Sequence, residues 1–208
     1  FHYLAFGAAH WPLHAPAHHV ERQRGRYDRG WDVVRAERFA RQKELAIVPE
    51  SADLPPRNPG VEAWDDLSDD ERRFAARLQE AYAAVIEHTD EQLGRLVDFL
   101  RDADVLDDTI VVLLSDNGAS QEGGATGYLQ FARLFNLQPS DIDQGLEQLD
   151  EIGGPNVQPA YPWGWAQVSN TPLKRYKGNT HGGGVRDPLV VHWPNGIADG
   201  GGIRSQFH

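Results

Sequence analysis

The chain has 208 residues, 40% hydrophobic and 25% charged, enough to bury a sizeable core as one large domain. Its 20 Lys and Arg stand against 31 Asp and Glu, a formal charge of −11, which argues against nucleic-acid binding because a phosphate backbone needs a basic surface. Without Cys there are no disulfides, thiolate metal sites or Cys nucleophiles, and no apolar stretch approaches the roughly 20 residues that span a bilayer.

Phe1 to Phe6 reads as a strand, broken by Gly7 and followed by a Pro-punctuated loop, His10 to Pro16. From about Trp31 to Leu45 the apolar positions Trp31, Val34, Phe39 and Leu45 predict a half-buried helix. Pro49 to Gly60 holds four prolines and is expected to be irregular. Ser68 and Glu71 then form a capping-box pattern, with Asp69 and Asp70 in a first turn whose dipole favours negative charge. Phe74, Leu78, Tyr82, Val85, Thr89, Leu93, Leu96 and Leu100 recur every three or four residues, so this helix runs to about Asp102. After an Asp107-Asp108 turn, the apolar run Ile110 to Leu114 reads as a fully buried strand, and helix then strand suggests half of a parallel α/β unit.

Beyond Gly118 the regular pattern weakens. Gln121 to Gly127 is Gly-rich but lacks the Lys-Ser/Thr ending of a P-loop, and reads as a flexible connection. Asp141 to Ile152 predicts a short helix capped by Ser140 and stopped by Gly153. Pro155 to Asn170 reads as irregular and aromatic, and Pro188 to Trp193 as a strand. So long an irregular stretch, roughly 119–187, is more often functional than not. The chain has no Met, opens on an apolar segment and ends on Arg204-Ser205-Gln206-Phe207-His208 without a terminating feature, as expected of a piece of a longer protein.

Three stretches carry chemistry. Asp116-Asn117-Gly118 puts a carboxylate and a carboxamide where a strand stops, the usual ligand position of an open α/β sheet. These oxygen donors suit a hard cation such as Ca²⁺ or Mg²⁺, although Asn-Gly is also ordinary turn chemistry. His10 and His14 are spaced as zinc ligands on a helix would be, but Pro12 and Pro16 oppose a helix there. His10 is therefore either a loop histidine packed on Trp11 or a donor to a substrate oxygen. Lys174-Arg175-Tyr176-Lys177-Gly178-Asn179-Thr180-His181-Gly182-Gly183-Gly184 combines cations with glycines that let backbone N–H groups approach an anion; the alternative is a solvated basic loop.

Taken in order, these motifs resemble the sulfatase family, in particular its bacterial arylsulfatase type. The resemblance rests on Ala9-His10-Trp11-Pro12-Leu13-His14-Ala15-Pro16, Ser115-Asp116-Asn117-Gly118, Asn170-Thr171-Pro172-Leu173-Lys174, Lys177-Gly178-Asn179-Thr180-His181, and Gly183-Gly184-Val185-Arg186-Asp187-Pro188. Trp31 to Arg35 and Arg41 to Leu45 look like the same subgroup, so the likeness covers nearly the whole chain.

The resemblance implies an α/β, alkaline-phosphatase-like mixed sheet flanked by helices, here incomplete, and a partial catalytic domain over residues 1–208. It implies hydrolysis of small-molecule sulfate esters with Ca²⁺, Mg²⁺ being the less expected ion. Asp116 and Asn117 match metal ligands, His10 the histidine near the leaving oxygen, and Lys177 the sulfate-binding lysine. The formylglycine nucleophile, made by a formylglycine-generating system from a C/S-x-P-x-R motif, would lie upstream of Phe1; the fragment by itself should be inactive. Gly182 stands where relatives often carry Glu. His181 is a weaker substrate-binding candidate, and Arg186 is expected to support its loop. Tyr161 to Trp165 offers either an aromatic wall or core burial, with burial favoured. His88 is expected to be structural and His18-His19 a surface pair. The alternatives are a phospho- or phosphonate-ester hydrolase of the same superfamily, which Asn117 in place of His disfavours, and a non-catalytic anion-binding homologue.

Overall fold

The computed structural model describes residues 1–140 and 142–204; Asp141, expected to open a helix, and the tail from Ser205 lie outside them. In chain order the elements are α1 (Ala17–Arg22), α2 (Gly30–Glu44), α3 (Asp69–Asp102), β1 (Val111–Leu114), α4 (Ala132–Phe135), α5 (Ile142–Glu147), α6 (Trp163–Ser169), α7 (Gly182–Val185) and β2 (Leu189–His192). Short 3₁₀ turns lie at Trp64–Asp66 and Leu149–Glu151. The class is α/β.

The long helix α3 organises the core. Its capping box forms as the sequence predicts: Glu71 N–H donates to Ser68 Oγ at 3.2 Å, and Ser68 N–H donates to the Glu71 carboxylate at 2.8 Å. At 34 residues it extends roughly 50 Å. Its first half is sealed by Phe74, Ala75, Ala76, Leu78, Ala81 and Val85, all buried, whereas Phe99 near its end is exposed. Helices α1 and α5 pack on α3, and α2 packs on α6.

At the centre lies Trp165, fully buried, its indole N–H donating to Ala75 O at 2.9 Å. Trp31 meets Trp64 edge-on, 4.8 Å between ring centroids, and both stand edge-on to Trp165 at 5.8 and 5.7 Å. Such edge-to-face pairs add about 0.5–1.5 kcal/mol each beyond the area they bury. Gly164 is required beneath them, because a Cβ there would come within 2.3 Å of the Trp31 ring. The stretch 155–170 is therefore only partly irregular. Pro162 leads into α6, and the helix buries Trp165, Ala166, Gln167 and Val168.

Two expectations about strands are corrected. Residues 1–6 form no strand; Phe1, Tyr3, Leu4 and Phe6 are exposed, and the segment has no ladder partner among the described residues. The run 110–114 does form β1, but it pairs antiparallel with β2, Val111 opposite His192 and Leu114 opposite Leu189. Neither strand is buried: with only each other as ladder neighbours among the described residues, Val112, Leu113, Leu114, Val190 and Val191 stay exposed. An apolar run is buried in such a sheet only when layers cover both faces, and among the described residues none covers this pair.

The Gly-rich segment 121–127 is not a flexible connection. Gly123 packs so closely on Tyr161 that a Cβ would sit 1.8 Å from its carbonyl oxygen. Trp163 holds it at two points, donating from its backbone N–H to Gly124 O at 2.8 Å and from its indole to Gln121 O at 2.6 Å. Ser140 donates its hydroxyl to Gly127 O, tying the far end of this segment.

Candidate active site

The strand tip after β1 turns sharply. Ser115 Oγ donates to Asn117 O at 2.8 Å, and Asn117 Nδ2 donates to Gly118 O at 3.1 Å. Asp116 is exposed and Asn117 half-buried, so the carboxylate is open to solvent. Gly118 is needed on steric grounds, since a Cβ would fall 1.7 Å from Gly183 O. That approach seats the strand tip directly on the glycine run ahead of β2.

Asn170 clamps the same junction. Its Oδ1 accepts from Ala119 N–H at 2.9 Å, and its Nδ2 donates to Arg175 O at 3.0 Å. Lys177 N–H donates to Ala119 O at 3.0 Å. The basic loop thus runs alongside the residues that follow Asp116 and Asn117.

His10 comes to this place from the opposite end of the chain. Its Nε2 lies 3.3 Å from Lys177 Nζ, and its Nδ1 lies 3.0 Å from Trp11 O. A carbonyl only accepts, so Nδ1 carries the proton and Nε2 accepts from the lysine. Glu122 sits on the other side of Lys177, Oε1 at 3.6 Å from Nζ. Its Oε2 accepts from Trp11 Nε1 and from Ser120 Oγ, each at 3.1 Å. His10, Trp11, Leu13, Ser120, Glu122 and Tyr161 line a narrow cleft of about 30 Å³.

Structure and sequence agree unevenly here. His10 and Lys177, expected to work together, touch. His181 precedes α7 with an exposed side chain, which makes no hydrogen bond among the described residues; its carbonyl accepts from Gly184 N–H at 2.8 Å. His14 turns away, its Nε2 2.6 Å from Val157 O. Burial wins for the aromatic stretch, with Trp165 in the core, while Tyr161 is both buried and at the cleft, its hydroxyl accepting from Ser120 N–H at 3.2 Å. Burial and the nearby Tyr82 push the Tyr161 hydroxyl far above its ordinary pKa, so it stays protonated. Glu122 was not legible as a site residue, because its Gly-rich surroundings read as a linker.

The donor set at the strand tip fits a hard cation. Asp116 and Asn117 offer only oxygen ligands. Asp187, just before β2, has its carboxyl pushed above the ordinary range, first by burial and then by the charge of Asp116. Two carboxylates close enough to repel are a place where a dication is favoured.

Comparison with known proteins gives the class. A family model for sulfatases matches residues 1–208. The chain is 38% identical over 195 residues to an uncharacterized sulfatase of Schizosaccharomyces pombe, covering 93% of this chain and 34% of that protein. It is 32% identical over 195 residues to an arylsulfatase of Klebsiella aerogenes, covering 93% of this chain and 40% of that protein. The chain belongs to the sulfatase family. It spans less than half the length of these curated relatives.

Proposed function

We propose that the protein containing this chain is a sulfuric ester hydrolase acting on aryl or related sulfate esters, and that residues 1–208 form part of its catalytic domain, with 119–187 as the active-site segment. The observation that carries this reading is the 3.3 Å contact between His10 Nε2 and Lys177 Nζ, with the Lys177 backbone N–H bonded to Ala119 O two residues past Asn117. The Klebsiella relative named as an arylsulfatase supports the aryl class.

Cleavage of a sulfate ester builds negative charge on the leaving oxygen and moves charge among the nonbridging oxygens. Lys177 supplies a fixed cation for a nonbridging oxygen, and stabilisation of this kind is usually the largest catalytic contribution. His10 faces the same point. With Nδ1–H anchored on Trp11 O, a proton taken up at Nε2 gives an imidazolium that donates to the leaving oxygen. Glu122 and Trp11 hold the pair in register. Asp116 and Asn117 would hold the cation, Ca²⁺ before Mg²⁺, which supplies charge neutralisation on the sulfuryl oxygens. The nucleophile is a formylglycine installed outside these 208 residues by a formylglycine-generating system, so the segment alone is inactive.

The test uses the full-length protein with an aryl sulfate and the matching aryl phosphate. Asp116→Ala and Asn117→Ala should each lower bound Ca²⁺ and turnover together. Full activity and full metal content in either variant would overturn the metal assignment. Preference for the phosphate ester would move the protein to phosphoester chemistry, and binding without turnover of either would make it a non-catalytic homologue.

A further inference from the structure

A second cluster of ligating side chains shares no residue with the site above. It lies where α1 packs on α3. We propose that His18, His19 and Glu91 form a binding site for a transition-metal dication of the zinc type, which pins α1 to the middle of α3.

One ligand atom from each of the three residues lies within 4.8 Å of the other two. Two imidazoles and one carboxylate suit zinc, whereas the all-oxygen strand tip suits a hard ion. The convergence is not a helical accident. Neighbouring positions on a helix point about 100° apart, yet the His18 and His19 rings lie 4.3 Å apart and both approach Glu91. His19, expected from sequence to be half of a surface pair, is 1% exposed and cannot swing freely.

The surroundings supply what a metal-bound imidazole needs. His19 Nε2 stands 3.0 Å from Glu91 Oε2, and Nδ1 stands 3.4 Å from Glu87 Oε2. A carboxylate on the distal nitrogen is the usual partner that orients a zinc-bound histidine. Glu87 is itself fixed, accepting from Gln23 Nε2 at 2.9 Å and pairing with Arg22 Nε at 3.1 Å. Without metal, Arg22 Nη2 lies 2.6 Å from His19 Nδ1 and donates to it, which leaves the His19 proton on Nε2, facing Glu91. On metal binding the neutral imidazole changes tautomer: its proton passes through solvent from Nε2 to Nδ1, which then donates to Glu87 instead of accepting from Arg22, while Nε2 and the Glu91 carboxylate become ligands, with no net release of a proton. His18, exposed, supplies the third ligand from solvent's side. Water completes a four-coordinate shell.

The experiment titrates Zn²⁺ into full-length protein stripped of metal and then saturated with Ca²⁺, by calorimetry, with Co²⁺ as a visible-absorption probe. The expected result is one zinc site, tetrahedral Co²⁺ bands and a higher Tm with zinc. His18→Ala and Glu91→Gln alter exposed positions that the fold tolerates, and each should weaken zinc at least about tenfold and abolish the Tm rise. The double variant Asp116→Ala/Asn117→Ala should keep the zinc site, which separates this result from the sulfatase reading. Unchanged zinc affinity in His18→Ala and Glu91→Gln, or loss of zinc only when Asp116 and Asn117 are replaced, would overturn the proposal.

Discussion

Lys177 Nζ and His10 Nε2 meet at 3.3 Å although 167 positions separate them in the chain. Two potentially cationic groups are held together only if something offsets their repulsion. Here the Glu122 carboxylate lies 3.6 Å from the ammonium, and the imidazole presents its lone pair rather than a proton. A substrate sulfuryl group would add the anion that lets both groups be charged at once.

If the two act on one substrate as a unit, their effects will not add. Lys177→Ala in the full-length enzyme should raise KM for an aryl sulfate and also lower kcat. His10→Ala should lower kcat by about 10²–10⁴-fold, the range for a lost proton donor. The double variant should be little worse than the poorer single one. Additive losses in a double-mutant cycle would mean that the two residues serve separate steps.

Glu122 touches Lys177, Trp11 and Ser120 together, so the expected role is positioning. Glu122→Gln keeps an oxygen for the Trp11 indole and removes the charge beside Lys177. It should lower kcat/KM about 10- to 100-fold, on the scale of one lost charge-assisted contact of about 1.5–3 kcal/mol. Its unfolding free energy should stay within about 1 kcal/mol of wild type, because the oxygen that Trp11 and Ser120 donate to is kept. A lowered kcat/KM accompanied by a comparable loss of stability would assign Glu122 to folding alone.

How far the sequence reaches depends on whether the cause is local. The capping box at Ser68 and Glu71 is local, and α3 starts and stops where the pattern places it. The apolar run at 110–114 fixes a strand but not its partner: antiparallel pairing with β2 comes from a segment far along the chain. Helix α6 was hidden because seven residues are under two turns, too short for a 3.6-residue period to show, and because Pro, Trp and Gly crowd it. His10, Lys177, Asp116 and Asn117 stood out through motif order. Glu122 did not, and Asn170 lay in a recognised motif without a role, since what they do arises from contacts spanning 111 and 51 positions. His19 reads as solvent-facing beside His18 until α3 closes over it.

Gly118 tests the seating of the strand tip. Its missing side chain lets the tip lie against Gly183 O, and a methyl group there would stand 1.7 Å from that oxygen. Gly118→Ala must therefore move backbone. It should cost about 1–3 kcal/mol in denaturant unfolding, as overpacking does, and should weaken Ca²⁺ in the full-length protein by displacing Asp116 and Asn117. Wild-type stability with wild-type calcium affinity would show that the contact is dispensable.

Asp187 gives a pH-dependent prediction whose sign follows from its surroundings. Burial first, and Asp116 second, hold its carboxyl above the ordinary range in the folded chain. The ionised form is thus disfavoured by folding. Its cost is absent below the unfolded-state pKa of an Asp, grows as pH rises through the folded value, and is fully present near neutrality. Asp187→Asn should therefore stabilise the calcium-free protein at neutral pH, and the gain should fade in acid once Asp187 is protonated in both states. Calcium at the strand tip should shrink the gain, because a dication on Asp116 removes the repulsion that Asp187 meets. Chemical denaturation of both proteins across pH, with calcium and with chelator, checks each part. A stabilisation that ignores pH would assign the effect to packing, and one that ignores calcium would place the ion away from Asp116.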